Sequence, residues 1–360
     1  MQTKERKVYI ELIRIVACFC VIFTHTMERG YFLFASFPES SVRYWVYMML
    51  SVFVKAAVPM FFTISGALLI TKSESLKELY RKRIVKMVLV LMLFSFLYYC
   101  RNIVYNIQDF SMKHFFSDLM ISNWNFTYWY LYAFITFLIG LPFIRVLAVN
   151  MKSQDFKYLF VCALVYKAFV PIVEYFLWQG NESFNDSIRT IWLNADIFIY
   201  PILGYYLEHK VDIRKMKKWI IPLWLINIIT IILTCLMTYY KIKLTGECSE
   251  SKSQTFFSCF SMINVATVYI SVKYWLHNIK MSNRIQKIIC SIGAATFGIY
   301  LMHLLFLQQL PIIPKVWRVL EKIVGPNSMI SALIVCAVVM GMSYIVTLVM
   351  KEIPFLKRLL

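Results

Sequence analysis

VYIELIRIVACFCVIFTHTM, residues 8–27, is an apolar run that carries two charges and a histidine. Crossing a bilayer as a helix takes ~17–25 predominantly apolar residues. The apolar stretch of a cleaved leader is only ~7–15 residues long and is followed by a small-residue cleavage site, which this run lacks. The run is therefore expected to remain in the protein as its first membrane span. Comparable runs recur near residues 45–70, 84–105, 128–148, 156–178, 188–208, 219–240, 257–276, 288–310 and 328–350, with short polar connections between them. Lipid offers no partner to backbone amides, so these runs are expected to be helices.

Composition agrees. The chain is 60% hydrophobic and only 16% charged, against ~25% charged in an ordinary soluble domain. The expectation is an all-α fold: one polytopic transmembrane bundle of about ten spans filling residues 1–360, with no separate soluble domain. Placing the N-terminus in the cytoplasm puts 24 of the 38 lysines and arginines on the inner side and 10 on the outer, the asymmetry the positive-inside rule expects. Both termini are then cytoplasmic.

The net charge of +19 does not indicate nucleic acid, because the basic residues are dealt out over every inner loop. Orientation and anionic headgroups account for most of it. Tyr80-Arg81-Lys82-Arg83 is the densest basic cluster, readable as a juxtamembrane anchor or as a site for an anionic cytoplasmic ligand. The nine cysteines stand singly, without C-x-x-C or Cys/His metal spacing, and read as small packing residues.

Charged groups at membrane depth cost ~2.5–3.5 kcal/mol each on insertion scales and mark functional positions. Here they are Glu11, Arg14, Lys55, Arg101, Lys167, Glu174 and Asp196, joined by His25 and His303. Glu11 and Arg14, one turn apart, can pair on one helix face. His25 lies eleven residues beyond Arg14, about three turns and ~16 Å along the axis on the same face. Singly, each could be an interfacial ion pair or a span-end cap. Together they form a polar stripe on the first span.

Pro59-Met-Phe-Phe-Thr-Ile-Ser65-Gly66 permits a helix break or a close helix approach. Lys167 and Glu174, seven apart, are expected to neutralise one another, whereas Asp196 has no partner visible in the sequence and is expected to face a cavity. His114, His209 and His277 fall in loops or at span ends and read as solvated. That leaves His303 as the other histidine at membrane depth.

The opening Glu11-Leu-Ile-Arg14 followed by His25 resembles the first-span motif of the acyltransferase-3 family, membrane enzymes that O-acylate sugars and cell-envelope polysaccharides. Glu11 stands where Asp is usual. Pro59 to Gly66 looks like the family's P-x-F-F-x-x-S-G motif, and Tyr80-Arg81-Lys82-Arg83-Ile84 like its basic stretch, with the arginines closer than in an R-x-x-R arrangement. Trp129-Tyr130-Leu131 with Pro142, Leu203-Gly204-Tyr205-Tyr206 and Phe297 to His303 resemble later signatures in the same order.

The resemblance implies a multi-pass protein of the cell membrane, of the bacterial cytoplasmic kind. It would take acetyl-CoA or another acyl-CoA as co-substrate, with no permanently bound cofactor or metal. It implies His25 as general base, with Arg14 and Glu11 completing the catalytic group, and Arg81, Arg83 and Ser65 on the donor side. Trp129, Tyr300 and His303 would meet the sugar or polysaccharide acceptor. The competing reading is an exporter of polysaccharide or lipid-linked sugar, whose intramembrane charges line a path. Only the enzyme consumes acyl-CoA.

Overall fold

A computed structural model describes residues 7–105, 107–189, 195–246, 256–279, 281–310 and 312–360. Among them all regular structure is helical. We label α1 (Val8–Thr24), α2 (Val42–Val54), α3 (Ala57–Leu69), α4 (Val85–Val104), α5 (Met112–Ile121), α6 (Trp129–Asn150) and α7 (Ser153–Ile172). There follow α8 (Asp196–His209), α9 (Lys217–Thr245), α10 (Ser261–Asn278), α11 (Asn283–Gln309), α12 (Ile312–Val324), α13 (Met329–Glu352) and α14 (Pro354–Leu359). Among the described residues seven helical stretches are long and apolar enough to cross a membrane: Val42–Leu69, Leu76–Val104, Phe126–Asn150, Ser153–Leu177, Ile213–Leu244, Asn283–Gln308 and Met329–Glu352. The other three expected spans correspond to α1, α8 and α10, of 17, 14 and 18 residues.

Two local features depart from the simple runs. The first span is expected to reach Met27, but α1 ends at Thr24, because the Thr24 and Thr26 hydroxyls turn back onto the carbonyls of Val21 and Phe23, each at 2.7 Å. Such side-chain bonds compete with helix continuation. Met27 then takes a left-handed φ of 49°. The second run is broken between α2 and α3 at Lys55 and Ala56. Pro59 explains the place: it has no N–H for the Lys55 carbonyl, and its ring clashes with that group. Asn264 of α10 donates to the Phe53 carbonyl at 2.8 Å, satisfying backbone that the break frees.

The chain divides into two compact units, Met1–Leu69 with Met151–Leu348 and Ile70–Asn150 with Val349–Leu360. In the larger unit α1 packs on α11, α3 and α10, and α3 packs along α8. Lipid tails are as apolar as leucine, so helices in a bilayer associate through close contact and hydrogen bonds, and glycines set the distances here. A Cβ on Gly66 would come within 2.0 Å of the Pro201 carbonyl oxygen, and one on Gly293 of α11 within 2.4 Å of the Glu11 carboxylate. At the start of α1, Glu208 accepts from Lys7, from Tyr9 at 2.5 Å, from Tyr269 at 2.9 Å and from Lys273 at 3.0 Å, tying α1, α8 and α10 together.

In the smaller unit α4 packs against α5, α6 and α14. Tyr99, Phe115 and Trp124 form an aromatic cluster with centroids 5.2–5.7 Å apart, and the Ser111 N–H donates to the Tyr99 hydroxyl.

Candidate active site

His25 lies immediately past the end of α1, its backbone N–H donating to the Ile22 carbonyl at 3.1 Å. Its ring meets that of His303, from the C-terminal third of α11, with Nδ1 of His25 3.1 Å from Nε2 of His303 and centroids 5.1 Å apart. His303 is fully buried, and its Nδ1 lies 2.5 Å from the Tyr300 carbonyl oxygen. The Val21 carbonyl is a further hydrogen-bond partner of the His25 ring. Lys55, at the break between α2 and α3, is within electrostatic range of His25. Two histidines 278 residues apart in sequence thus meet, His303 fully buried and His25 partly exposed, with a lysine nearby.

One turn into α1, Arg14 Nη1 donates to both Glu11 oxygens at 3.2 and 3.3 Å. The expected i,i+3 pair is present, with Glu11 buried beneath Gly293 and Arg14 half-buried. Ser65 donates to the Phe61 carbonyl at 2.8 Å, within its own helix. Tyr300 is buried one turn before His303 and presents its backbone carbonyl to that ring, with the two ring centroids 5.9 Å apart.

The remaining candidates belong to the smaller unit. Arg81, Lys82 and Arg83 occupy a wide π turn, Tyr80–Ile84, leading into α4; such turns are rare and frequent at functional sites. Arg81 is exposed, whereas Arg83 Nε donates to both oxygens of Glu74 at 3.0 Å, and Arg145 of α6 donates to the same carboxylate at 2.5 Å. Burial opposes ionisation of Glu74, yet Arg145 and Arg83 override it and hold the carboxyl below the usual glutamate value. Trp129 is exposed at the start of α6.

Three expectations for the buried charges change. Lys167 pairs with Asp196 rather than Glu174, and Asp196 thereby has its partner on a neighbouring helix. Glu174 is buried in the π turn after Pro171 and accepts the Phe184 N–H at 3.0 Å. His209 is not simply solvated, since its Nε2 donates to the Ala67 carbonyl at 3.0 Å. Glu74, Arg145 and Glu208 are polar anchors that do not stand out as charges at membrane depth, because each reads in the sequence as a loop or span-end residue. Their one legible signal is an acidic residue at the edge of a basic stretch.

Among the described residues no group of three or more His, Cys, Asp or Glu is placed to hold a metal ion. The arrangement offers a partly buried imidazole pair suited to proton transfer. A family model described as an acyltransferase domain matches residues 7–348. The chain belongs to the acyltransferase-3 family. Comparisons with curated proteins and with solved structures find no match. Membership covers both units, and the long apolar helices make this family member a multi-pass membrane protein.

Proposed function

We propose that this protein moves an acyl group, acetyl in the simplest case, from cytoplasmic acyl-CoA to a hydroxyl of a cell-envelope or exopolysaccharide sugar, with His25 as general base. The observation that carries this reading is the partly buried contact between His25 and His303 in a chain of the acyltransferase-3 family. His25 takes the proton of the acceptor hydroxyl as its oxygen attacks the thioester carbonyl carbon. The C–S bond then breaks, and the protonated imidazole returns the proton to the departing thiolate, leaving an ester and free coenzyme. Positive charge from Lys55 suits the oxyanion that develops on the carbonyl oxygen.

In this reading Arg81 and Arg83 take the coenzyme's phosphates, since guanidinium groups bind phosphate through paired N–H donors. Ser65 contributes on the donor side, and Trp129 and Tyr300 on the acceptor side. Arg14, held by Glu11, provides a fixed cation on the helix that ends at His25.

The deciding experiment incubates the purified protein in nanodiscs with radiolabelled acetyl-CoA and envelope glycans, then follows label into the glycan. Replacing His25 with Ala or Gln should lower the rate by the ~10²–10⁴-fold typical of a lost general base, while coenzyme affinity persists. Near-normal turnover by these variants would remove His25 as base. Glycan export without acyl-CoA consumption by the parent protein would instead establish an exporter.

A further inference from the structure

We infer that His303 is the positioning residue of the reaction: it fixes the tautomer and orientation of His25, so that Nε2 of His25 is the nitrogen that takes the proton. This rests on the reading of His25 as base and assigns His303 a role other than meeting the acceptor.

A backbone carbonyl only accepts, so the His303 nitrogen 2.5 Å from the Tyr300 oxygen, Nδ1, carries a proton. In a neutral His303 the other nitrogen, Nε2, then has the lone pair. The ring nitrogen 3.1 Å away, Nδ1 of His25, is therefore the donor of that contact. A neutral His25 protonated at Nδ1 has its basic lone pair at Nε2. The second nitrogen of a working histidine commonly decides which tautomer is present in this way.

The surroundings hold this order in place. His303 is fully buried, in the C-terminal third of a 27-residue helix. Its acceptor Tyr300 is one turn earlier on the same helix, so the ring that orients His25 is itself fixed by local backbone. His25 lies past its helix end, with φ −93° and ψ 3°; its N–H still reaches the Ile22 carbonyl and the Val21 carbonyl bonds its ring, while His303 is the side chain that another helix brings against it. When His25 takes a proton at Nε2, its Nδ1–H points at the His303 lone pair. The new positive charge then meets an acceptor already polarised by the Tyr300 carbonyl. Full burial of the His303 ring makes that orientation count for more than it would in water.

The test compares His303→Leu, which removes the acceptor, and His303→Gln, whose amide oxygen can replace Nε2, each alone and combined with His25→Gln. Initial rates and coenzyme affinity are measured in nanodiscs. His303→Leu should lower kcat by ~10²-fold, the scale of a misplaced catalytic group, with KM for acyl-CoA unchanged. His303→Gln should restore most of that loss. In the His25→Gln background, His303→Leu should cost nothing further, because residues acting as a unit are non-additive. Three results would overturn the positioning role: near-normal turnover in His303→Leu, an equal loss in both backgrounds, or a folded His303→Gln as slow as His303→Leu. The base reading fails separately, if His25→Gln alone turns over normally.

Discussion

Gly204 of α8 faces the backbone of Thr63 in α3 so closely that a Cβ built on it would lie 1.8 Å from the Thr63 carbonyl oxygen. Gly66 meets Pro201 in the same way from the opposite helix. The two glycines are reciprocal, each facing backbone that cannot rotate aside, and they bring the Pro59–Gly66 stretch and the Leu203–Tyr206 stretch into one contact. Gly204→Ala and Gly66→Ala must therefore push the helices apart. Each should lower the thermal midpoint in detergent, with a cost of ~1–3 kcal/mol, as for overpacking elsewhere. Gly140, where an added Cβ would meet nothing within 4 Å beyond its own stretch of helix, is the control: alanine there should be tolerated. Equal midpoints for all three variants would contradict the close approach.

The pair between Lys167 and Asp196 makes an asymmetric prediction. The Lys167 side chain is 6% exposed and that of Asp196 39%. Removing one partner of a buried pair costs ~3–5 kcal/mol, chiefly because the other charge is stranded, and the exposure of Asp196 reduces this. Asp196→Asn, which strands the buried ammonium, should destabilise by ~2–3 kcal/mol. Lys167→Met leaves a carboxylate that water can reach and should cost about half as much. Thermal unfolding of both variants and the double replacement checks this, and the opposite order would mean that the lysine is hydrated.

What the sequence discloses here divides by distance along the chain. Glu11 and Arg14 pair as expected because helix geometry alone puts i and i+3 together. The close approach at Gly66 is likewise foreseeable from a small residue beside a proline. The partners of His25 and Lys167 lie on other helices and that of Arg145 in a distant connection, and nothing in residue spacing ranks one distant polar group above another. Helix ends mislead similarly. Lys241 reads as an outer-loop residue, yet α9 runs on to Thr245 and buries it over the Tyr175 ring at 4.1 Å. His25 reads as part of the first span, but two threonine hydroxyls end that helix one residue before it. The site's residue types are thus legible while its pairings are not.

Glu74 gives a pH dependence. Its folded pKa is depressed below the ordinary 4.5, so the stability it contributes is present above about 4.5 and is lost as pH falls through the lower, folded value. At pH 7 Glu74→Gln should be less stable than the parent by about 1.5 kcal/mol, the lower end for hydrogen bonds to charged groups. Below pH 4 that difference should shrink. Midpoints of parent and variant measured from pH 7 to pH 3 test it, and a gap that widens on acidification would assign the wrong sign.

Orientation follows from basic asymmetry. Reporters fused after Ser73, Lys215 and Leu360 should read as cytoplasmic and those after Ser40, Asn185 and Gly246 as external, because 24 lysines and arginines against 10 favour that side. Gly246 is a sound fusion point: it closes α9 with a left-handed φ of 67° and its N–H on the Ile242 carbonyl at 2.8 Å. A reporter at Leu360 that reads as external would require an odd number of crossings.

The proposed donor site separates two arginines that the sequence treats alike. Arg81 is exposed on the π turn, whereas Arg83 is half-buried and shares Glu74 with Arg145. Phosphate contacts hold ground state and transition state equally, so losing one raises KM for acyl-CoA and leaves kcat nearly unchanged. Arg81→Gln should therefore weaken coenzyme affinity by ~5–10-fold, the worth of one charge-assisted contact, with the thermal midpoint unmoved and the loss smaller at high salt. Arg83→Gln should do the same to affinity and also lower the midpoint, because it removes one of two guanidinium groups from a carboxylate that is mostly buried. Isothermal titration with coenzyme, beside thermal unfolding of each variant, separates the two effects. Unchanged affinity in both variants would move the phosphate site away from this turn. A lowered midpoint with intact affinity in Arg83→Gln alone would leave that arginine as the structural partner of Glu74 and nothing more.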